Sequence, residues 1–245
     1  MSYESYESSE GLPDVEVHAF IVVDASGTMG QKELKTDEPK HRCAAWMVQE
    51  ILNATDDPQY QYVVITVIIF SGNRDGVKVL CLLDGYNAYE SKAYTGNTDL
   101  DIWDALSPAH RAAGMGGLTP LGTALAWARQ QAEQWITASP GQVQRRAVIY
   151  LLTDGQNTMG PDGLDEKAAI AAFNASSEKG YIRLGTIGYF QSEPGKGTNP
   201  EEEAGRRLLE ALSLNTGMYF ESDNVTNIVK YILSTTTQLM GQTAS

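Results

Sequence analysis

The stretch QYVVITVIIFS, residues 61–71, constrains the fold most, because every position from Val63 to Phe70 is β-branched or aromatic. Such side chains suit a pleated strand, and the lack of polar alternation means that both faces of the strand are covered. Two other runs share this character: the apolar end of VEVHAFIVVD (15–24) and the centre of RRAVIYLLTDG (145–155). GVKVLCLLDGY (76–86), YIRLGTIGYF (181–190) and GMYFES (217–222) read as further strands.

Helical spacing separates these runs. PKHRCAAWMVQEILNAT (39–55) is a helix with Pro39 suited to its first turn, and TPLGTALAWARQQAEQWITAS (119–139) is a helix with Pro120 just inside its start. TDLDIWDALSPA (98–109) is a short helix that Thr98 would cap, and GLDEKAAIAAFNASSEKG (163–180) is a longer one. NPEEEAGRRLLEALSLN (199–215) places its acids first and Arg206 and Arg207 later, the order a helix dipole favours. NVTNIVKYILSTTTQLM (224–240) closes the chain. Strands alternating with helices predict an α/β fold: a doubly wound, Rossmann-like, mostly parallel sheet of about six strands with helices on both faces. Residues 14–245 contain no repeat or linker and read as one domain. The SYES-repeating residues 1–13 read as a flexible tail, a solubilising leader or a place for docking or phosphorylation.

The 245 residues carry 18 Lys+Arg against 31 Asp+Glu, a formal net charge of -13. That balance disfavours nucleic acid and anionic membranes as partners, and it attracts metal cations or basic proteins. There is neither a basic leader with an apolar core nor an apolar run of the ~18 residues that a membrane span needs, so a cytoplasmic location is expected. Cys43 and Cys81 lie among apolar residues and are expected to be reduced core thiols, a disulfide being the alternative. His18, in the first strand, is expected to be a satisfied core or edge histidine, and Trp46, Trp127 and Trp135 to be core residues.

In open α/β sheets, sites form at the carboxyl ends of the strands. The first strand ends in Asp24, followed at alternate positions by Ser26 and Thr28, and the strand at 147–152 ends in Thr153, Asp154 and Gly155. The loop GMGGLTPLG (114–122) presents Thr119 just before a helix. Two carboxylates and several hydroxyls form an all-oxygen set suited to Mg²⁺, with Ca²⁺ or Mn²⁺ as substitutes. Zinc is disfavoured because neither His nor Cys falls nearby. By itself the first strand end also suits a phosphoaspartate enzyme or a capped turn.

Taken together, DASGTMG, GGLTPLGTAL and LLTDG resemble the three motifs of the von Willebrand factor A domain family, in its intracellular bacterial form, over about residues 15–240. The resemblance implies a complete metal-ion-dependent adhesion site at Asp24, Ser26, Thr28, Thr119 and Asp154. Thr28 replaces the usual second Ser, and QKELKTDEP (31–39) intervenes before the helix that in the family follows almost directly. It is either a lining of the binding face or a tolerated surface loop. The resemblance further implies binding rather than catalysis: a partner protein's Asp or Glu completes the coordination of Mg²⁺, and ligation in some members moves the last helix. Bacterial members act as adaptors in multi-protein systems, beside an AAA+ ATPase or another operon-encoded protein. Candidate partner contacts are Met29, Gly117 and Leu118 beside the metal loops, and Tyr86, Tyr89 and Tyr94 of GYNAYESKAYTGN (85–97), since Tyr buries area at low entropic cost. Packing on the domain itself is the alternative for these tyrosines.

The enzymatic alternative is a Mg²⁺-dependent phosphohydrolase of haloacid-dehalogenase type. It needs D-x-D-x-T, and Ser26 stands where the second Asp would shuttle the proton. No G-x-x-x-x-G-K-[ST] or G-x-S-x-G is present, which argues against a P-loop and against acyl transfer by Ser26.

Overall fold

The computed structural model describes residues 15–30, 40–73, 76–87, 119–138, 143–154, 181–190, 200–214, 216–222 and 224–241. Six strands, β1 (Val15–Asp24), β2 (Val63–Asn73), β3 (Gly76–Tyr86), β4 (Gln144–Thr153), β5 (Ile182–Gly188) and β6 (Tyr219–Glu221), form one sheet in the order β3-β2-β1-β4-β5-β6. All neighbours are parallel except β3, which runs antiparallel to β2. The described helices are α1 (Lys40–Ala54), α2 (Leu121–Thr137), α3 (Pro200–Ser213) and α4 (Val225–Gly241). The predicted α/β class, with a mostly parallel sheet of six strands, is the observed one.

Strand periodicity divides the apolar runs between two cores. Val17, Ala19, Ile21 and Val23 of β1 pack with Ile65, Val67, Ile69, Val148 and Tyr150 against Met47 and Ile51 of α1 and Ile228 and Ile232 of α4. Phe20 and Val22 turn the other way, joining Ile68, Phe70, Ile149 and Leu151 against Leu125 and Ala128 of α2 and Leu209 and Leu212 of α3. Each large side chain so buried contributes about 1.5–3 kcal/mol. A central strand serving two cores leaves few positions for a polar residue, hence the nearly uninterrupted runs; His18 and Thr66, which bond each other, are exceptions.

The chain winds from β1 towards β2 and β3 on one side and from β4 towards β5 and β6 on the other. The crevice between the carboxyl ends of β1 and β4 is therefore the switch point of the sheet. α2 leads into β4, and Arg145 at the start of β4 donates to the Trp135 carbonyl near the end of α2 at 3.0 Å. The 17 residues of α2 span about 25 Å. Its first residue thus returns to the carboxyl end of β4. On the other face, α4 is held by the Tyr150 hydroxyl, which donates to the Ile232 carbonyl at 3.1 Å and lies 2.7 Å and 2.9 Å from the Thr235 and Thr236 hydroxyls. Arg146 adds a bond to the Leu239 carbonyl at 2.6 Å.

Several expectations are corrected. Pro120 precedes α2 rather than lying inside it. Cys43 and Cys81 are not joined in a disulfide, but of the two only Cys43 is buried; Cys81 is exposed on the edge strand β3. Trp46 is 42% exposed, with the Arg42 guanidinium over its ring, because it falls on the outer side of α1. His18 is buried, but among the described residues only its Nε2 is bonded, to Thr66 at 2.8 Å, while Nδ1 has no partner. The expected tail 1–13, the intervening 31–39, Pro39 and the helices at 98–109 and 163–180 lie outside the described residues.

Candidate metal centre

β1 delivers Asp24 fully buried to the carboxyl edge of the sheet. Backbone pairing continues just past it, with Ala25 N–H donating to the Phe70 carbonyl at 2.8 Å, so the carboxylate stands on a fixed base. Its Oδ1 accepts the Ser26 backbone N–H at 2.7 Å, and its Oδ2 accepts the Thr153 hydroxyl at 2.7 Å. A 3-10 turn over Gly27–Gly30 then brings the Ser26 and Thr28 hydroxyls to 3.1 Å from each other. Met29 anchors that turn from inside the core, so it is not a surface contact for a partner.

Asp154 follows β4 and is also buried. Its Oδ2 accepts from the ammonium of Lys40, the first residue of α1, at 3.0 Å, and its Oδ1 has no partner among the described residues. Thr119 is buried just ahead of α2, its carbonyl accepting the Leu121 N–H at 2.9 Å. Asp24, Ser26, Thr28, Thr119 and Asp154 thus all stand at the same end of the sheet. Tyr86 does not. β3 runs the other way, so Tyr86 pairs with Ile65, five residues before the Phe70 that pairs with Asp24. At strand spacing this is about 17 Å towards the opposite edge. Tyr89, Tyr94, Gly117 and Leu118 lie outside the described residues.

Burial pushes the Asp24 carboxyl up to about 7; the nearby Asp154 charge adds to the rise, and the Thr153 and Ser26 donors oppose it. Among the described residues one ammonium, on Asp154, accompanies two buried carboxylates, and the remaining negative charge is costly unless a proton or a cation joins them. The atoms around them, carboxylate and hydroxyl oxygens, form a donor set that fits a hard divalent ion. Among the described residues no three His, Cys, Asp or Glu side chains cluster.

Three polar groups at this end were missed in the sequence. Thr153 was visible as a hydroxyl beside the strand-end Asp. Lys40 had a weaker signal, a cation in a first helical turn where the helix dipole disfavours it. Ser71, one residue beyond the Phe70 paired with Asp24, has a buried hydroxyl without a partner among the described residues; it stands at the end of the apolar run of β2.

The sequence matches no protein-family model. It matches no curated protein either. Solved structures do match. A Bacteroides fragilis aerotolerance-related membrane protein, with multiple mutations to serines, is 16% identical, covering 91% of this chain and 99% of its own at a TM-score of 0.58. The PilB minor pilin of Streptococcus sanguinis is 17% identical over 92% of this chain and 61% of its own, TM-score 0.58. Proximal thread matrix protein 1 of the mussel byssus, with a zinc-occupied MIDAS motif, is 16% identical over 92% of this chain and 46% of its own, TM-score 0.52. These neighbours include von Willebrand factor A-like proteins. The likeness is one of fold. The chain spans less than two thirds of the pilin and of the byssus protein, whose remaining lengths have no counterpart here.

Proposed function

We propose that this chain is a non-enzymatic, metal-dependent protein-binding domain of the von Willebrand factor A type. Asp24, Ser26, Thr28, Thr119 and Asp154 would hold Mg²⁺, directly or through water, as a complete adhesion site. The observation that carries this reading is the meeting of two buried carboxylates, Asp24 and Asp154, at the switch point between β1 and β4. A bound ion supplies a coordination position for a carboxylate from outside. The chain's own residues do the rest. Thr153 and the Ser26 N–H orient Asp24, and the buried Met29 fixes the turn that carries Thr28. The zinc reported in the byssus protein's motif supports a divalent ion at such a site; Mg²⁺ is proposed here on the hardness of the oxygen set.

The partner would be a protein offering an Asp or Glu, in a bacterial multi-protein system that includes an AAA+ ATPase or another operon-encoded protein. Two cysteines not joined in a disulfide support a reducing, cytoplasmic setting. Among the described residues no helix is long and apolar enough to cross a membrane.

Affinity capture from the native host in Mg²⁺ and in EDTA, with Asp24→Ala as control, tests the proposal. A partner retained in Mg²⁺, and lost both in EDTA and with Asp24→Ala, is expected. Equal capture under all three conditions would contradict it, as would Mg²⁺-dependent release of phosphate from an aryl phosphate that Asp24→Asn abolishes.

A further inference from the structure

We propose that Lys40 is a resident counter-cation of the metal centre, setting its charge so that a bound divalent ion is held more tightly when an external carboxylate joins it. The inference rests on the metal-site reading above. Lysine is almost never fully buried unless paired, yet Lys40 is only 3% exposed. As the first residue of α1 it also sits where the helix dipole repels a cation. What offsets both costs is Asp154 Oδ2 at 3.0 Å. The ammonium takes one oxygen of that carboxylate and leaves Oδ1 without a partner among the described residues, available to a metal.

Charge then decides the behaviour of the site. Asp24 and Asp154 alone would neutralise a divalent ion, and a third carboxylate would bring surplus negative charge into a buried place. Counting the described groups, the loaded site with Lys40 keeps one positive charge, which one incoming Asp or Glu neutralises. Lys40 therefore weakens the binding of metal alone and strengthens the binding of metal together with a carboxylate. It acts through Asp154 and is a positioning and charge-setting residue.

The test is Mn²⁺ binding to the full metal-free chain, followed by electron paramagnetic resonance, with and without acetate at constant ionic strength. Acetate is expected to tighten Mn²⁺ binding by the wild type. Lys40→Gln is expected to bind Mn²⁺ at least tenfold more tightly without acetate and to lose the acetate effect, and Lys40→Arg to behave as wild type. A mere loosening of the site would weaken binding in every condition, so the opposite sign marks the proposed role. Lys40→Gln binding no tighter, or retaining the acetate effect, overturns the role of Lys40 while leaving the metal site standing, provided that Asp24→Ala abolishes binding. Wild-type protein that binds no Mn²⁺, or Asp24→Ala that binds as well as wild type, overturns the site itself. If Lys40→Gln fails to fold, the wild type decides: Mn²⁺ affinity unmoved by acetate overturns the proposal.

Discussion

The Thr153 hydroxyl donates to Oδ2 of Asp24 at 2.7 Å, tying the end of β4 to the end of β1 beneath the candidate metal centre. Both residues are fully buried, so the carboxylate is oriented by the protein itself. Thr153→Val keeps the shape and removes this donor from a buried carboxylate oxygen. The variant is expected to lose about 1–3 kcal/mol in urea denaturation, whereas Thr153→Ser, which keeps the hydroxyl, is expected to lose less. Equal losses for the two would show that packing of the Thr153 methyl, and not the hydrogen bond, is what matters.

His18 gives the fold a defined sensitivity to acid. Burial, helped by the charge on Arg145, lowers its pKa from 6.5 to about 3. Below pH 6.5 the unfolded chain takes up a proton that the native imidazole refuses until about pH 3. Stability is therefore unaffected by this group above that window and falls through it, by about 1.4 kcal/mol per pH unit. Replacing His18 by Phe loses the Thr66 bond but removes the titration. Urea midpoints measured at several values across the window should show the wild type declining relative to His18→Phe as the pH drops. Parallel declines would contradict the assignment.

Tyr150 reaches from β4 to the backbone and hydroxyls of α4, and its own ionisation is pushed up to about 12, chiefly by burial. Thr235 and Thr236 also bond carbonyls within their own helix, at 2.8 Å each, so losing the phenol does not orphan them. Tyr150→Phe should thus cost only about 0.5–1.5 kcal/mol overall. The loss should concentrate in α4, seen as faster amide exchange there than in β1 or β4. Uniform acceleration throughout the sheet would contradict a local latch.

The central strands were legible because a strand serving two cores has no alternative pattern, and the strand-end carboxylates were legible because a charge closing an apolar run needs a reason. Other features depend on tertiary placement. The spacing of β3 carries no direction, so nothing in GVKVLCLLDGY told that Tyr86 would finish at the edge away from Asp24. Met29 looked like a loop residue because it lies in a short turn outside any periodic run, yet it is buried in the core cluster that β1 and α1 share. Trp46 misled through its size, since its exposed face is covered in part by Arg42 rather than by the core. Lys40 was hidden most deeply: its meaning depends on Asp154, 114 residues away.

The central claim is that Asp24 and Asp154 form a divalent-cation site, and calorimetric titration of Mg²⁺ into the metal-free chain tests it most directly, with Asp24→Ala measured alongside. The account predicts a single saturable site in the wild type, absent from a folded Asp24→Ala protein. A wild type that takes up no Mg²⁺, or an Asp24→Ala variant that binds it equally well, would contradict it.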